Sequence, residues 1–134
     1  MTVPDEWQPY IEAWRQRRRR QQAELEQRTR HAYEAARQCA IYLAEQWGVR
    51  RVYLFGSLAG WHKPHAQSDI DLAAEGLPPG KEYFRILVEL WQYLPEGVEL
   101  DLVPLEEAYP QLRERIMREG MLLYERQPLG TAHS

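Results

Sequence analysis

The stretch LFGSLAGWHKPHAQSDIDLAAEG, residues 54–76, combines an apolar segment, a glycine-serine break and a pair of aspartates. The first apolar segment ends at Gly56-Ser57, a polar loop follows, and a second apolar segment begins with Asp69 and Asp71. Side chains of a β-strand alternate between its two faces, so the two aspartates share one face and the aliphatic residues share the other. The stretch therefore predicts two strands joined by a loop, with two carboxylates at the start of the second strand.

A third aspartate lies in a later segment with the same alternation. In VELDLVP, residues 98–104, Asp101 shares one face with Glu99 and Val103, and Val98, Leu100 and Leu102 lie on the other. If the two strands are neighbours in a sheet, Asp69, Asp71 and Asp101 converge. Crowded carboxylates repel one another, and burial raises their pKa values, so a divalent cation would stabilise them. Mg²⁺ suits such oxygen ligands, although an Asp pair alone is also typical of helix caps and exposed edge strands.

The Gly56-Ser57 break is a candidate binding site for phosphate. Glycine lets a backbone approach a ligand closely, and exposed backbone N–H groups beside a serine hydroxyl can bind an anion. The alternative is an ordinary turn. The order of strand, Gly-Ser, and a second strand with Asp-x-Asp favours the phosphate site.

The rest of the chain predicts a long N-terminal helix followed by short strands and helices. The helix runs from about Pro9 to Trp47 and ends at Gly48, a natural cap. The predicted strands are 51–55, 69–74, 98–104 and 121–125, and the later helices are 81–93 and 105–119. This order predicts an α/β (α+β) domain with a small mixed sheet flanked by helices. We divide the chain into a helical segment 1–48, a core 49–127 and a disordered tail 128–134.

Each predicted helix carries apolar residues at helical spacing. In the long helix the stripe consists of Leu25, Ala32, Ala36, Cys39, Leu43 and Trp47 together with the threonine Thr29. In the second they are Phe84, Leu87, Val88 and Trp91, and in the third Tyr109, Leu112 and Ile116.

The beginning of the long helix differs from the rest of it. Trp7, Tyr10, Ile11 and Trp14 form an apolar cluster, and residues 15–22 then contain five arginines and no apolar residue. A helix that is polar all round leaves the domain body, so the cluster needs a partner chain or must fold back on its own domain. The arginines are either a solvated surface or a contact for phosphates or an acidic partner.

Composition indicates a single globular domain in the cytoplasm. The chain has 134 residues, of which 44% are hydrophobic and 28% charged, with a net charge of −3. No apolar run approaches the roughly 20 residues that span a bilayer. The single cysteine, Cys39, excludes an internal disulfide, as expected in a reducing compartment.

The motifs FGS, SDIDL and ELDLV together resemble the nucleotidyltransferase superfamily that includes DNA polymerase beta. More narrowly, they resemble the minimal nucleotidyltransferases, the MNT-type antitoxins that are paired with HEPN toxins. The resemblance covers about Val49 to Glu125. It implies that Gly56 and Ser57 hold a nucleoside triphosphate, and that Asp69 and Asp71 bind two Mg²⁺ ions. Asp101 would complete the metal site and help activate the attacking hydroxyl.

The chain departs from the family pattern after Ser57. Many relatives carry an arginine there, whereas no arginine lies between Gly56 and Asp69 in this chain. Lys63, His62 or His65 would have to supply a positive charge facing the phosphates, or the loop is simply exposed. Lys63 and Ser68 therefore join Gly56 and Ser57 as candidate nucleotide-binding residues.

The resemblance implies a Mg²⁺-dependent enzyme that transfers AMP from ATP to a hydroxyl, expected to be a tyrosine of a HEPN-type toxin. The long N-terminal helix would be its docking element. One alternative is an antitoxin that neutralises its toxin by binding alone. Another is a small-molecule adenylyltransferase that completes its pocket as a homodimer. Direct nucleic-acid binding through Arg15 to Arg20 is a weaker alternative.

Overall fold

The computed structural model describes residues 2–62 and 69–127, which form three helices and four strands in this part of the chain. The helices are α1 (Gln8–Trp47), α2 (Lys81–Leu90) and α3 (Pro110–Glu119). The strands are β1 (Arg51–Phe55), β2 (Ile70–Glu75), β3 (Leu100–Pro104) and β4 (Met121–Glu125). Short 3₁₀ turns span Asp5–Trp7, Gly56–Ala59, Trp91–Tyr93 and Leu105–Glu107. The predicted tail, 128–134, lies outside the described residues.

The strands form one mixed sheet in the order β3-β2-β1-β4. Strand β1 pairs antiparallel with both β2 and β4, and β2 pairs parallel with β3. A parallel pair needs a crossover connection, which α2 provides between β2 and β3. The sheet confirms the predicted α/β architecture.

The C-terminal half of α1 packs on one face of this sheet. Its buried residues are Ala32, Ala35, Ala36, Cys39, Ala40 and Leu43. They form the main core with Val52, Leu54, Ile70, Leu72, Ala74 and Leu102 of the strands. The helix ends at Gly48, which has a φ of 68° and donates its N–H to the carbonyl of Ala44. Alanines dominate this face, so the helix can approach the sheet closely.

The N-terminal arm of α1 (residues 8–24) extends away from the domain as part of the same helix. Every side chain in the arm is exposed except Ile11, which is half-buried. Trp7, Tyr10 and Trp14 are 56%, 76% and 50% exposed. The aromatic cluster therefore does not fold back on the described part of its own domain.

The arm projects past the end of the sheet at which β1 terminates. A short linker joins the C-terminus of α1 to the beginning of β1, so the two elements run in opposite directions. Tyr33 donates its hydroxyl to the sulfur of Met121 at 3.2 Å, and Met121 pairs with Leu54 near the end of β1. Tyr33 is thus level with that end. The arm begins beyond the end of β1 and is roughly 25 Å long at 1.5 Å per residue.

Helix α2 has apolar residues on two sides. The side that the structure buries is not the side that the sequence pattern of apolar residues at helical spacing predicted. Ile86 and Leu90 are buried, whereas Phe84, Val88 and the following Trp91, which begins a 3₁₀ turn, are exposed. At about 100° per residue the two sets lie on opposite sides of the helix. Of the four residues at the predicted helical spacing, Leu87 packs against the core.

Contacts to α1 fix the orientation of α2. The Glu89 carboxylate accepts hydrogen bonds from the Tyr42 hydroxyl at 2.6 Å and the Trp47 indole N–H at 2.9 Å. Arg85 pairs with the same carboxylate at 3.2 Å and stacks over the ring of Trp47. These contacts hold one polar side of α2 against α1.

The third helix starts later than predicted because of Pro110. Leu105–Glu107 form a separate 3₁₀ turn, and α3 begins at Pro110. Proline lacks a backbone N–H and disfavours helical geometry in the residue before it. Tyr109 accordingly has an extended backbone, with ψ at 145°. Strand β3 also begins at Leu100 rather than at residue 98.

Within residues 2–62 and 69–127, no helix combines the length and the apolar character that crossing a membrane requires.

Candidate active site

The predicted acidic residues and the Gly-Ser turn lie at the same end of the sheet. Gly56 directly follows the last residue of β1, and Asp69 directly precedes β2. Because β1 and β2 are antiparallel and β2 and β3 are parallel, the end of β1 adjoins the starts of β2 and β3. Asp101 is the second residue of β3.

Asp71 and Asp101 are direct partners across the parallel ladder of β2 and β3. Residues in register on neighbouring strands point to the same face of the sheet. Here that face is opposite to the main core, and it also carries the smaller cluster around Tyr53, Ala73 and Ile116. Asp71 is half-buried, whereas Asp101 and Asp69 are exposed.

The backbone of Gly56 packs directly against the Asp71 carboxyl group. A Cβ placed on Gly56 would overlap a carboxylate oxygen of Asp71 and lie 3.2 Å from its Cγ. Gly56 also has a φ of 76°, in the left-handed region that favours glycine. The turn therefore requires glycine at residue 56 for two reasons: its left-handed backbone conformation, and the space that the Asp71 carboxylate occupies.

Negative charge accumulates around Asp71. Burial is the main cause that raises its pKa, from 3.8 to about 6, and the negative charges of Asp101 and Asp69 raise it further. The positive charge of His62 acts in the opposite direction. Folding thus places Asp71 where its ionised form is disfavoured, as expected of a carboxylate that works with a cation.

We expect Asp71→Asn to stabilise the metal-free protein above pH 6. The folded protein binds the Asp71 proton more tightly than the unfolded chain, so its stability falls as the pH rises from about 4 to 6. The full pKa difference corresponds to ~3 kcal/mol, and about 1–2 kcal/mol remains after allowing for solvent screening of a half-buried group. Urea unfolding of the wild type and of Asp71→Asn in EDTA, at pH 4 and at pH 7.5, would measure this difference in the free energy of unfolding. Equal stability of Asp71→Asn and the wild type at pH 7.5 would contradict it.

Trp61 anchors the chain just after the Gly-Ser turn, a role that no sequence pattern indicated. Its ring packs against Phe55 with the centroids 5.5 Å apart and lies 3.9 Å beneath the guanidinium carbon of Arg115. Its indole N–H donates to the carbonyl of Glu119 at 3.3 Å. Trp61 also donates its backbone N–H to the carbonyl of Gly56. Helix α3 thereby holds the turn in place through contacts between residues that are distant in sequence.

The predicted nucleotide-binding residues are only partly within the described chain. Ser57 is 6% exposed and lies in the 3₁₀ turn behind Gly56. Lys63, His65 and Ser68 lie outside the described residues. His62 is exposed and acts electrostatically on Asp71, so one of the three candidate cations lies near the carboxylates.

The carboxylates fit a metal ion that takes few protein ligands. Within residues 2–62 and 69–127, no group of three or more His, Cys, Asp or Glu side chains is arranged so that it could hold one. Mg²⁺ commonly takes only one or two protein carboxylates and completes its shell with substrate phosphates and water. The pair Asp71 and Asp101, with Asp69 close enough to raise the pKa of Asp71, fits that mode of binding.

The solved structures that resemble the chain in sequence and fold include two that are at least 25% identical to it. One belongs to the crystal structure of a toxin–antitoxin with AMP-PNP; it is 25% identical, has a TM-score of 0.55, and the match covers 68% of this chain and 74% of that one. The other is described as a candidate minimal nucleotidyltransferase; it is 30% identical, has a TM-score of 0.52, and the match covers 66% of this chain and 90% of that one. No curated protein matches the chain significantly.

A family profile matches most of the chain. The profile is that of Polymerase beta, Nucleotidyltransferase, and it covers residues 37–129. This range begins in α1 and includes all four strands and the aspartates. The predicted relationship is thereby confirmed, and the chain belongs to the polymerase beta nucleotidyltransferase family.

Proposed function

We propose that this chain is a Mg²⁺-dependent nucleotidyltransferase that transfers AMP from ATP to a hydroxyl of a partner protein. The observation that carries the proposal is the pairing of Asp71 with Asp101 beside the Gly56-Ser57 turn. Membership of the family supports the reaction type, and a relative crystallised with AMP-PNP supports an adenine nucleotide as donor.

The metal ligands in this proposal are Asp69, Asp71 and Asp101. Two bound Mg²⁺ ions would neutralise charge on the triphosphate and lower the pKa of the acceptor hydroxyl. The Gly56-Ser57 turn would hold the triphosphate through backbone N–H groups and the serine hydroxyl, with Lys63 and Ser68 as further contacts. A cation between the carboxylates also offsets the repulsion that raises the pKa of Asp71.

The proposed transfer is an in-line displacement at the α-phosphorus. The acceptor oxygen forms a bond to phosphorus while the bond from phosphorus to the oxygen that bridges to the β-phosphate breaks, and that electron pair leaves with pyrophosphate. The hydroxyl proton passes to a carboxylate of the site. Asp101 is exposed on the edge strand β3, so an incoming hydroxyl can reach it. The contribution of the protein is positioning and electrostatic stabilisation.

The proposed acceptor is a tyrosine hydroxyl of a HEPN-type toxin, and the chain acts as its antitoxin. The similarity to a chain of a toxin–antitoxin crystal structure supports a toxin as partner. An AMP group on a tyrosine adds a bulky anion, which would repel RNA from a nearby binding surface. Among the described residues, nothing covers Asp69 and Asp101 completely, since both are exposed, which leaves room for the partner to complete the acceptor side.

The N-terminal arm is the proposed docking element for this partner. It projects from the same end of the sheet as Gly56, Asp71 and Asp101, and it presents exposed aromatic rings. Arg18 stacks over the ring of Trp14 at 5.0 Å, so cationic and apolar surface lie together on the arm. A toxin held by the arm would keep its acceptor hydroxyl close to the carboxylates.

The proposal is tested with ATP labelled in its α-phosphate, Mg²⁺ and a purified HEPN-type toxin, with EDTA as control. We expect the toxin to gain the mass of one adenylyl group on a tyrosine, to lose ribonuclease activity, and to do neither in EDTA. Neutralisation of the toxin without a mass gain would instead favour an antitoxin that acts by binding. Labelling of a small molecule but no protein would favour a small-molecule adenylyltransferase.

A further inference from the structure

The outer face of α2, formed by Phe84 and Val88 and continued by Trp91 of the next turn, is an exposed apolar surface. These side chains are 68%, 69% and 72% exposed and follow one another at spacings of four and three residues. The face extends over about 10 Å of helix. Contiguous apolar surface of this kind on a folded domain is typical of a site that binds another molecule.

Tyr83 connects this outer face to the candidate active site. Its ring packs edge-on against Phe84 with the centroids 5.6 Å apart. Its hydroxyl donates to the carbonyl of Leu102 at 2.5 Å, next to Asp101 on β3. Burial raises the pKa of Tyr83, and the negative charges of Asp101 and Glu107 raise it further. Tyr83 therefore links the outer face of α2 to the free edge of β3 at Leu102, one residue from Asp101.

A groove lies where α2 and β3 meet. It has a volume of about 300 Å³, and its walls include Pro78, Pro79, Tyr83, Phe84, Pro104 and Glu107. That volume is at the lower end of the range for small-molecule pockets. The groove thus suits an apolar side chain of a bound polypeptide better than an entire cofactor.

The edge of β3 is partly closed to an added strand. The N–H of Ile70 donates to the carbonyl of Glu99 at 2.9 Å, so that carbonyl faces β2 and the carbonyl of Leu102, three residues later, faces the free edge. The Leu102 carbonyl already accepts a hydrogen bond from the Tyr83 hydroxyl, and Pro104 has no backbone N–H that could donate to an added strand. A polypeptide bound here is recognised through its side chains rather than by extending the sheet.

The surroundings of the groove are acidic. Residues 94–113 contain five acidic residues and one arginine, Arg113, which donates to the backbone carbonyls of residues 105, 106 and 108 beside the groove. Glu106 pairs with Arg50, while Glu96, Glu99, Asp101 and Glu107 form no ion pair with another described residue. Lys81 adds one positive charge at the N-terminal end of α2. The excess of negative charge favours a basic ligand.

We propose that the outer face of α2 and the adjoining groove bind the acceptor segment of the partner protein, and that this segment is apolar beside its hydroxyl and flanked by basic residues. The inference rests on the proposed function and deepens it. The N-terminal arm holds the partner as a whole, whereas this surface selects which hydroxyl reaches Asp101. The acidic residues would raise the affinity for basic flanks and disfavour acidic ones.

The test uses three synthetic peptides with a common Leu-Tyr-Leu centre, flanked by arginines, glutamines or glutamates. With labelled ATP and Mg²⁺, we expect the wild type to label the arginine-flanked peptide with a kcat/KM at least about tenfold above that for the glutamate-flanked one. The variant Phe84→Gln/Val88→Gln should lower the kcat/KM for the arginine-flanked peptide by about tenfold or more. Glu107→Gln should reduce the preference for arginine over glutamate flanks.

Ile41→Gln is the matched control, because Ile41 is also an exposed aliphatic residue on a helix. It should leave peptide labelling unchanged, and none of these variants should alter the binding of labelled ATP in Mg²⁺. Equal labelling of the three peptides, labelling of none, or unchanged rates in Phe84→Gln/Val88→Gln would overturn the inference. Loss of a dimer in that variant would also overturn it, by assigning the face to a second copy. If the wild type binds no labelled ATP, the proposed function itself is wrong, and this outcome is distinct from a failure of the inference about the acceptor surface.

Discussion

We expect Asp101→Asn to lower the kcat/KM of AMP transfer by about 10³-fold or more while the protein remains folded. Asparagine preserves the size of the side chain and removes its charge. In the proposed reaction Asp101 is both a metal ligand and the carboxylate nearest to the incoming hydroxyl, so the variant loses two contributions to the transition state. A thousandfold effect corresponds to ~4 kcal/mol, which is typical of losing a single group that stabilises charge in a transition state. The measurement is labelled transfer at saturating ATP and Mg²⁺.

Glu99→Gln is the matched control for Asp101→Asn. It makes the same change of charge two residues earlier on the same face, at an exposed residue that precedes β3. Glu99 is only one of several acidic residues that would favour a basic acceptor and is not a proposed metal ligand, so transfer should stay within about threefold of wild type. Urea unfolding should show that both variants are folded. Transfer by Asp101→Asn at the wild-type rate would refute the two-metal proposal, whereas equal losses in both variants would indicate a general effect of surface charge.

The pairing behind this prediction follows from the sequence, because strand alternation is a local property. Asp71 and Asp101 each stand between aliphatic residues, so the pattern fixes which face each aspartate occupies. Only the adjacency of β2 and β3 had to be assumed. The parallel register of β2 and β3 confirms that adjacency.

Other parts of the molecule depend on contacts that sequence patterns do not encode. Helix α2 has apolar residues on two sides, so periodicity predicted a helix but could not identify the buried side as that of Ile86. The role of Trp61 depends on Arg115 and Glu119, more than fifty residues away. The direction of the N-terminal arm was likewise unpredictable, because it follows from how α1 crosses the sheet.

The second large effect is expected at Gly56, where an alanine should displace the Asp71 carboxylate. Gly56→Ala places a methyl group where a carboxylate oxygen of Asp71 now lies, in a residue whose φ is 76°. The carboxylate must move, so we expect transfer to fall by about a hundredfold or more. Steady-state transfer measured alongside the free energy of unfolding would separate the catalytic effect from the loss of stability.

Gly60→Ala isolates the effect of backbone conformation. Gly60 ends the same turn with a φ of 84°, and a Cβ there would meet nothing within 4 Å. Left-handed geometry costs an alanine about 1–2 kcal/mol, so Gly60→Ala should lose stability by that amount and Gly56→Ala by more, because its methyl group also displaces a carboxylate. Only Gly56→Ala should also lose transfer. Similar losses of transfer in the two variants would contradict a specific role for the contact between Gly56 and Asp71.

A double-mutant cycle with Asp71→Ala completes this test. Removal of the Asp71 carboxyl group leaves its Cβ, which lies 3.5 Å from the added methyl group, at ordinary van der Waals distance. Gly56→Ala should therefore cost less stability in the Asp71→Ala background than in the wild type, with a coupling energy of about 1–2 kcal/mol. The remaining cost in that background should match the cost of Gly60→Ala, since both then reflect backbone strain alone. A coupling energy near zero would mean that the carboxylate moves aside freely, and Gly56 would then be conformationally necessary without positioning the catalytic group.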